Sequence, residues 1–146
     1  NVDNLHLKSG IHPDLLAELH GNITKLRCTS CAMQVDQSAG FGRCSCGGTL
    51  ISSVVDFGQP LPQKELADSY QHSQDSDLFI VVGSSLVVTP AADMPAVALK
   101  YGSRLVIINQ GSTPFDRIAH LRFHERISKI LPQAVDLLKQ MLSSSQ

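Results

Sequence analysis

The sequence predicts an α/β fold: a parallel sheet alternating with helices, and a small metal-binding lobe set into the same chain. Three observations predict it. Two short runs, "LFIVV" at 78–82 with five consecutive large apolar residues and "RLVII" at 104–108 with four after Arg104, have the length and apolar character of strands in a parallel sheet. Stretches with helical signals, 89–103 and 125–142, alternate with the strands, and strand–helix alternation is the mark of α/β architecture. All 4 cysteines fall between Cys28 and Cys46, in a polar stretch too poor in large apolar side chains to fold by burial alone.

Taken in order, "NVDNLHLKSG" is polar and ends at Gly10. "IHPDLLAELHGN" is an apolar run between turn signals at Pro13 and Gly21-Asn22. The cysteine loop follows, and "TLISSVVDFG" (49–58) reads as extended chain. A helix is expected from about Gln63 to Tyr70, after the prolines at 60 and 62. The run at 78–82 reads as a strand covered on both faces. Residues 89–103 read as helix, with Pro90 near its start, Pro95 as a kink and Gly102 as a stop. "HLRFH" (120–124) is a third strand, and 125–142 has helical apolar spacing interrupted by Pro132.

The composition is that of a globular protein, with 42% hydrophobic and 17% charged residues in 146. A net charge of −1 argues against direct nucleic-acid or anionic-membrane partners. The longest apolar run, at 78–88, is too short and interrupted to cross a bilayer, so no membrane association is expected. The chain opens on no signal-peptide pattern, and a reducing, cytoplasmic location is expected.

In that compartment four clustered cysteines point to metal. The spacing is C-x2-C, twelve residues, then C-x-C, through Cys28, Cys31, Cys44 and Cys46. Four thiolates around Zn²⁺ form a closed structural site that organises a loop and leaves no position for chemistry. Gly47 and Gly48 can absorb the unusual dihedrals of the tight second pair. Two other readings of the same cysteines are a pair of disulfides and a site that has lost its metal.

Six motifs, in one order, resemble the sirtuins, a family of NAD-dependent protein-lysine deacylases. They are "NVDNLH" (1–6), "ELHGN" (18–22), the four-cysteine loop, "VVDFGQPLP" (54–62), "DLFIVVGSSLVVTPA" (77–91) and "RLVIIN" (104–109). The resemblance implies a Rossmann-like, doubly wound parallel lobe and a zinc-binding lobe at approximately residues 22–53. It also implies a catalytic domain, 1–146, that lacks the family's N-terminal glycine-rich part. Expected partners are an acyl-lysine protein or peptide and either the missing N-terminal half or a second copy of the chain.

The resemblance assigns roles residue by residue. His20 becomes the general base on the NAD ribose hydroxyls after the acyl oxygen has attacked the ribose carbon and nicotinamide has left; an imidazole suits that task at neutral pH. Read from spacing alone, His20 is a histidine at a strand end before Gly21. Asn1 and Asp3 are assigned to catalysis on the nicotinamide side, and Asn1, Val2 and Asp3 to cofactor binding. Gly83, Ser84 and Ser85 lie after a strand, where ligands bind in doubly wound sheets, and are assigned to NAD. So are Asn109, Gln110 and Gly111 after the next strand, and Ile127 at the adenine. The plainer reading of both glycine-containing segments is a turn after a strand. Val54, Val55, Phe57 and Gly58 are assigned to the acyl-lysine substrate, with main-chain pairing to its peptide; Val54 and Val55 also read as core. Gln59 stands where the family usually has glutamate. Two other activities suit the same scaffold, NAD hydrolysis and ADP-ribosyl transfer. The third alternative is a non-catalytic zinc-bearing half-domain.

Overall fold

The structure is a computed structural model, and it describes residues 1–144. The chain forms two compact units, Asn1–Ser69 and the residues from Tyr70 onward.

The first unit is built on a three-stranded antiparallel sheet. Strand β1 (Lys25–Cys28) is central, flanked by β2 (Gln34–Asp36) and β3 (Leu50–Ser52), in the order β2-β1-β3. Along β1 the side chains alternate between half-buried and buried, so Leu26 and Cys28 share the inner face. They pack with Cys44 and Leu50, with Val35 against them. The carboxylate of Asp36 accepts from the Ser38 amide (2.8 Å) and caps the single 3-10 turn that ends β2. Upstream, a one-turn helix α1 (Leu5–Lys8) follows Asp3, whose Oδ1 accepts from the Leu5 amide at 3.0 Å. Extended chain was expected over 49–58, but β3 stops at Ser52. Beyond it, the Val55 amide donates to the carbonyl of His20 instead of to a strand.

Helix α2 (Gln63–Asp75) runs one turn beyond the expected Tyr70. The second unit holds the parallel sheet: β4 (Leu78–Val82), β5 (Arg104–Ile108) and β6 (Leu121–Phe123), in the order β4-β5-β6. Register is in step along β4 and β5, from Leu78 beside Arg104 to Val82 beside Ile108. Helix α3 (Met94–Lys100) makes the crossover, and its Met94, Pro95 and Ala98 are buried. The core gathers Val81, Leu86, Ala92, Leu105 and Ile107, with Phe79, Leu99, Phe115 and Ala119 against it. Helix α4 (Ile127–Ser144) contains Pro132 rather than ending at it.

One expectation is corrected here. Strand β4 is covered on one face only: Phe79 and Val81 turn toward the core, whereas Leu78, Ile80 and Val82 are 52%, 45% and 41% exposed. Among the described residues β4 is an edge strand. Central β5 has Leu105, Ile107 and Ile108 all buried, as a strand covered on both sides must. No helix of the described residues is long and apolar enough to cross a membrane.

Candidate functional site

The four cysteines converge. Their sulfur atoms all lie within 4.8 Å of one another, with Cys28 and Cys46 at 3.4 Å and Cys31 and Cys44 at 3.7 Å. Tetrahedral zinc with bonds of about 2.3 Å separates its sulfurs by roughly 3.8 Å, so the spread fits that ion. All four are free thiols, which removes the two-disulfide reading. Sheet β2-β1-β3 supplies Cys28 from the end of its central strand, and two turns at that same end, one leading from β1 to β2 and one leading into β3, supply the rest. Gly48 closes the cradle. A Cβ there would stand 2.5 Å from the Cys28 sulfur and 2.6 Å from the Ser30 hydroxyl, so only glycine fits. The electrostatics also favour a cation. Backbone amides of Cys31 and Ser30 pull the Cys28 thiol down to about 6. At Cys31 the Met33 amide pulls the same way, but the sulfurs of Cys46 and Cys28 outweigh it and push the thiol up to about 12. Negative charge on one sulfur repels charge on the next, and a divalent ion is what lets all four ionise.

Still in the first unit, His20 sits on a corner tied down on every side. Its carbonyl accepts from Val55 (3.0 Å), and Gly21 follows with a positive φ of 76°. A Cβ on Gly21 would stand 2.0 Å from the Ser53 carbonyl oxygen, so the next strand's continuation can pass this close only over glycine. Asn22 is wholly buried. Its Nδ2 donates to Glu18 (2.7 Å) and Asn4 (2.8 Å), its amide to the Ser53 hydroxyl (3.1 Å), and its Oδ1 accepts from Thr24. Ile23 donates to the Val2 carbonyl at 2.8 Å, which draws the Asn1–Asp3 segment against the histidine corner. The His20 side chain remains half-buried. The structure thus brings Asn1, Val2, Asp3, His20 and Val55 into one neighbourhood of the backbone. Phe57 is 96% exposed, and Gly58 beside it has a φ of 83°. A cavity of about 790 Å³ in this unit is lined by Val55 together with Leu7, Leu16 and Leu61, but by neither His20 nor Val54.

In the second unit a cavity of about 480 Å³ opens at the C-terminal ends of β4 and β5. Gly83, Asn109, Gln110 and Ile127 line it, with Glu125, Arg126 and Ser128. Gly83 has a φ of 65°, and a Cβ there would meet the Ile127 side chain at 2.9 Å. Glycine therefore lets two segments far apart in sequence close on one space. Of the expected cofactor residues, Ser84, Ser85 and Gly111 lie outside the cavity lining. Ser84 turns its hydroxyl to the Leu86 amide (3.2 Å), and Gly111 lends its carbonyl to Asn109 Nδ2 (3.0 Å).

Sequence reasoning missed the group beneath this cavity. Arg122 of β6 is 11% exposed and reaches the carbonyls of Asn109 and Gly111 and the carboxylate of Asp116. The available signal was a lone arginine inside the otherwise apolar strand triplet "LRF".

Comparison with known proteins agrees with this arrangement. The model of the Sir2 family matches residues 1–90. An NAD-dependent protein deacetylase of Shouchella clausii is 46% identical over 122 residues, covering 82% of this chain and 51% of that protein. An NAD-dependent protein deacylase of Aquifex aeolicus is 38% identical over 150 residues, covering 99% of this chain and 62% of that protein. Among solved structures, one described as "Sir2-p53 peptide-NAD+" superposes with a TM-score of 0.75 at 33% identity, over 93% of this chain and 60% of its own. The chain spans between half and about three-fifths of the length of these relatives. By the match of its motifs, its metal cradle and its parallel sheet, the chain belongs to the Sir2 family.

Proposed function

We propose that the protein removes acyl groups, acetyl foremost, from lysine side chains of proteins, consuming NAD and releasing nicotinamide and O-acyl-ADP-ribose. The observation that carries the reading is the histidine corner. One short stretch of backbone joins the Asn1–Asp3 segment to residue 23, and His20 to Val55, by bonds of 2.8 and 3.0 Å. Three roles thus meet in one unit: positioning the nicotinamide side (Asn1, Val2, Asp3), proton transfer (His20) and lining the acyl-lysine (Val54, Val55, Phe57, Gly58). Bound NAD supplies an electrophilic ribose carbon once nicotinamide departs. His20, half-buried and held by its backbone, takes the proton of a ribose hydroxyl. Gly83, Ser84, Ser85, Asn109, Gln110, Gly111 and Ile127 hold the nucleotide. The zinc held by the four cysteines stays out of the reaction, because four sulfur ligands close its coordination. The zinc lobe, at approximately 22–53, and the cytoplasmic location belong to the same reading, which the four free thiols support.

Mixing the purified protein with NAD and an acetyl-lysine peptide tests this. O-acetyl-ADP-ribose should form, and His20→Ala should lower turnover by about 10²–10⁴-fold without changing the melting temperature. Nicotinamide release that ignores the peptide would replace deacylation by NAD hydrolysis or ADP-ribosyl transfer. A second reading, the non-catalytic half-domain, draws on the half-exposed β4 face at Leu78, Ile80 and Val82. It expects a partner there, the rest of the catalytic domain or a second copy of the chain. A purified mass near 15.8 kDa per chain favours the half-domain, and a much larger one favours a chain that carries the rest of the catalytic domain.

A further inference from the structure

We infer that Arg122 is a positioning residue for the nucleotide: it clamps the Asn109–Gly111 turn open at the cavity without touching the ligand itself. The inference rests on the NAD-dependent reading above. Four of the five N–H groups of its guanidinium are spoken for. Nε donates to Asp116 Oδ1 at 2.7 Å. Nη1 donates to the Asn109 carbonyl at 2.6 Å and to the Phe123 carbonyl. Nη2 donates to the Gly111 carbonyl at 2.5 Å. Asp116 is held in turn by the Thr113 hydroxyl (2.6 Å), whose oxygen also accepts from the Phe115 amide (3.2 Å). The side chains of Arg122 and Asp116 are only 11% and 23% exposed, so the network is largely sheltered from solvent.

The placement explains the clamp. Arg122 lies beside Ile107 in the sheet register, next to the strand that ends in Asn109. The Asn109 amide donates to the Phe123 carbonyl (3.1 Å). The turn is therefore pinned by its carbonyls. Among the described residues the amide of Gln110, which lines the cavity, donates to no protein acceptor, which leaves a donor for the hydroxyl or phosphate oxygens of a nucleotide. A flexible chain of polar residues, "NQGST", would otherwise sample many conformations. A planar fork can hold two carbonyls and a carboxylate at once; a lysine ammonium cannot reproduce that plane.

The test uses the whole protein, with ADP-ribose as the probe in calorimetry and NAD as the varied substrate in turnover. If the turn is competent only about a tenth of the time without the clamp, the apparent Kd rises ~10-fold. Arg122→Gln should therefore raise the Kd for ADP-ribose and the KM for NAD about tenfold. Turnover at saturating NAD and the KM for the acetyl-peptide should stay unchanged, and the Asn109–Ser112 amides should exchange faster. Arg122→Lys should fall between the two. If wild type and Arg122→Gln bind ADP-ribose equally, the inference is overturned and the NAD reading survives. A wild type that binds no ADP-ribose overturns both. A fall in turnover and melting temperature with an unmoved KM for NAD would also overturn the inference, since that marks a merely structural arginine.

Discussion

The two units hold themselves together by different chemistry. Around β1 the buried cluster has four members, and two of them are the metal ligands Cys28 and Cys44. Around β5 the cluster is Val81, Leu86, Ala92, Leu105 and Ile107, with no sulfur and no charge. The first unit spends its buried positions on thiols and so borrows its stability from an ion. The second removes apolar surface from water at roughly 25 cal/mol per Å², with no ligand needed. Within one chain, then, the lobe that carries the histidine corner is expected to answer to metal supply, whereas the sheet that carries the cavity at Gly83 and Asn109 is not.

Removing the metal should separate them most sharply. Structural zinc sites contribute on the order of 10 kcal/mol of apparent free energy at neutral pH, more than a sheet of three short strands can replace. A chelator is expected to release a single ion per chain and to expose the β1 amides to rapid hydrogen exchange. The β5 amides should keep their protection. Unchanged protection of Leu26 and Cys28 after metal release would end the contrast, because the first lobe would then stand on burial alone.

The converse experiment acts on the second unit. Leu105, on the central strand β5, is fully buried. Leu105→Ala is expected to cost about 2–5 kcal/mol through lost transfer energy and the cavity left behind. Denaturant melts of the second unit should record that loss, while metal content and affinity stay as in wild type. A Leu105→Ala protein that also loses its metal would mean that the two cores are coupled.

What was legible in the sequence divides along the same line. Cysteine spacing is a local signal with few interpretations, and Cys28, Cys31, Cys44 and Cys46 do converge within 4.8 Å. Strands β4 and β5 were legible because five and four consecutive large apolar residues, Leu78–Val82 and 105–108, have few other homes. The coverage of β4 was not, because an apolar run does not say whether the same chain supplies its cover. The shortness of β3 was hidden for another reason: the Val55 amide is taken by the His20 carbonyl, thirty-odd residues upstream. Gly48 read, with Gly47, as a residue that absorbs unusual dihedrals; only Gly47 has a positive φ, and the requirement at Gly48 is steric, set by the Cys28 sulfur. Arg122 stayed hidden because its partners are chiefly backbone carbonyls, which every residue owns.

Acid should resolve the two units by a smaller but ordered effect. The Thr113 hydroxyl bonded to it holds the Asp116 carboxyl down, against the opposing pull of burial; the Arg122 guanidinium adds to the lowering, and the result is about 2 against an ordinary 3.8. Its folded value is depressed, so its contribution to stability is complete above 3.8 and drains away as pH falls from there toward about 2. The metal lobe has to fail earlier, at higher pH, because protons compete with the ion for every thiolate. An acid titration followed by amide exchange should therefore lose β1 first and the β6 strand only below pH 3.8. Asp116→Asn should flatten the second step and leave the first in place. If both sheets open together, the Asp116–Arg122 network is not what carries the second unit through mild acid, and the division of labour between metal and burial would have to be redrawn.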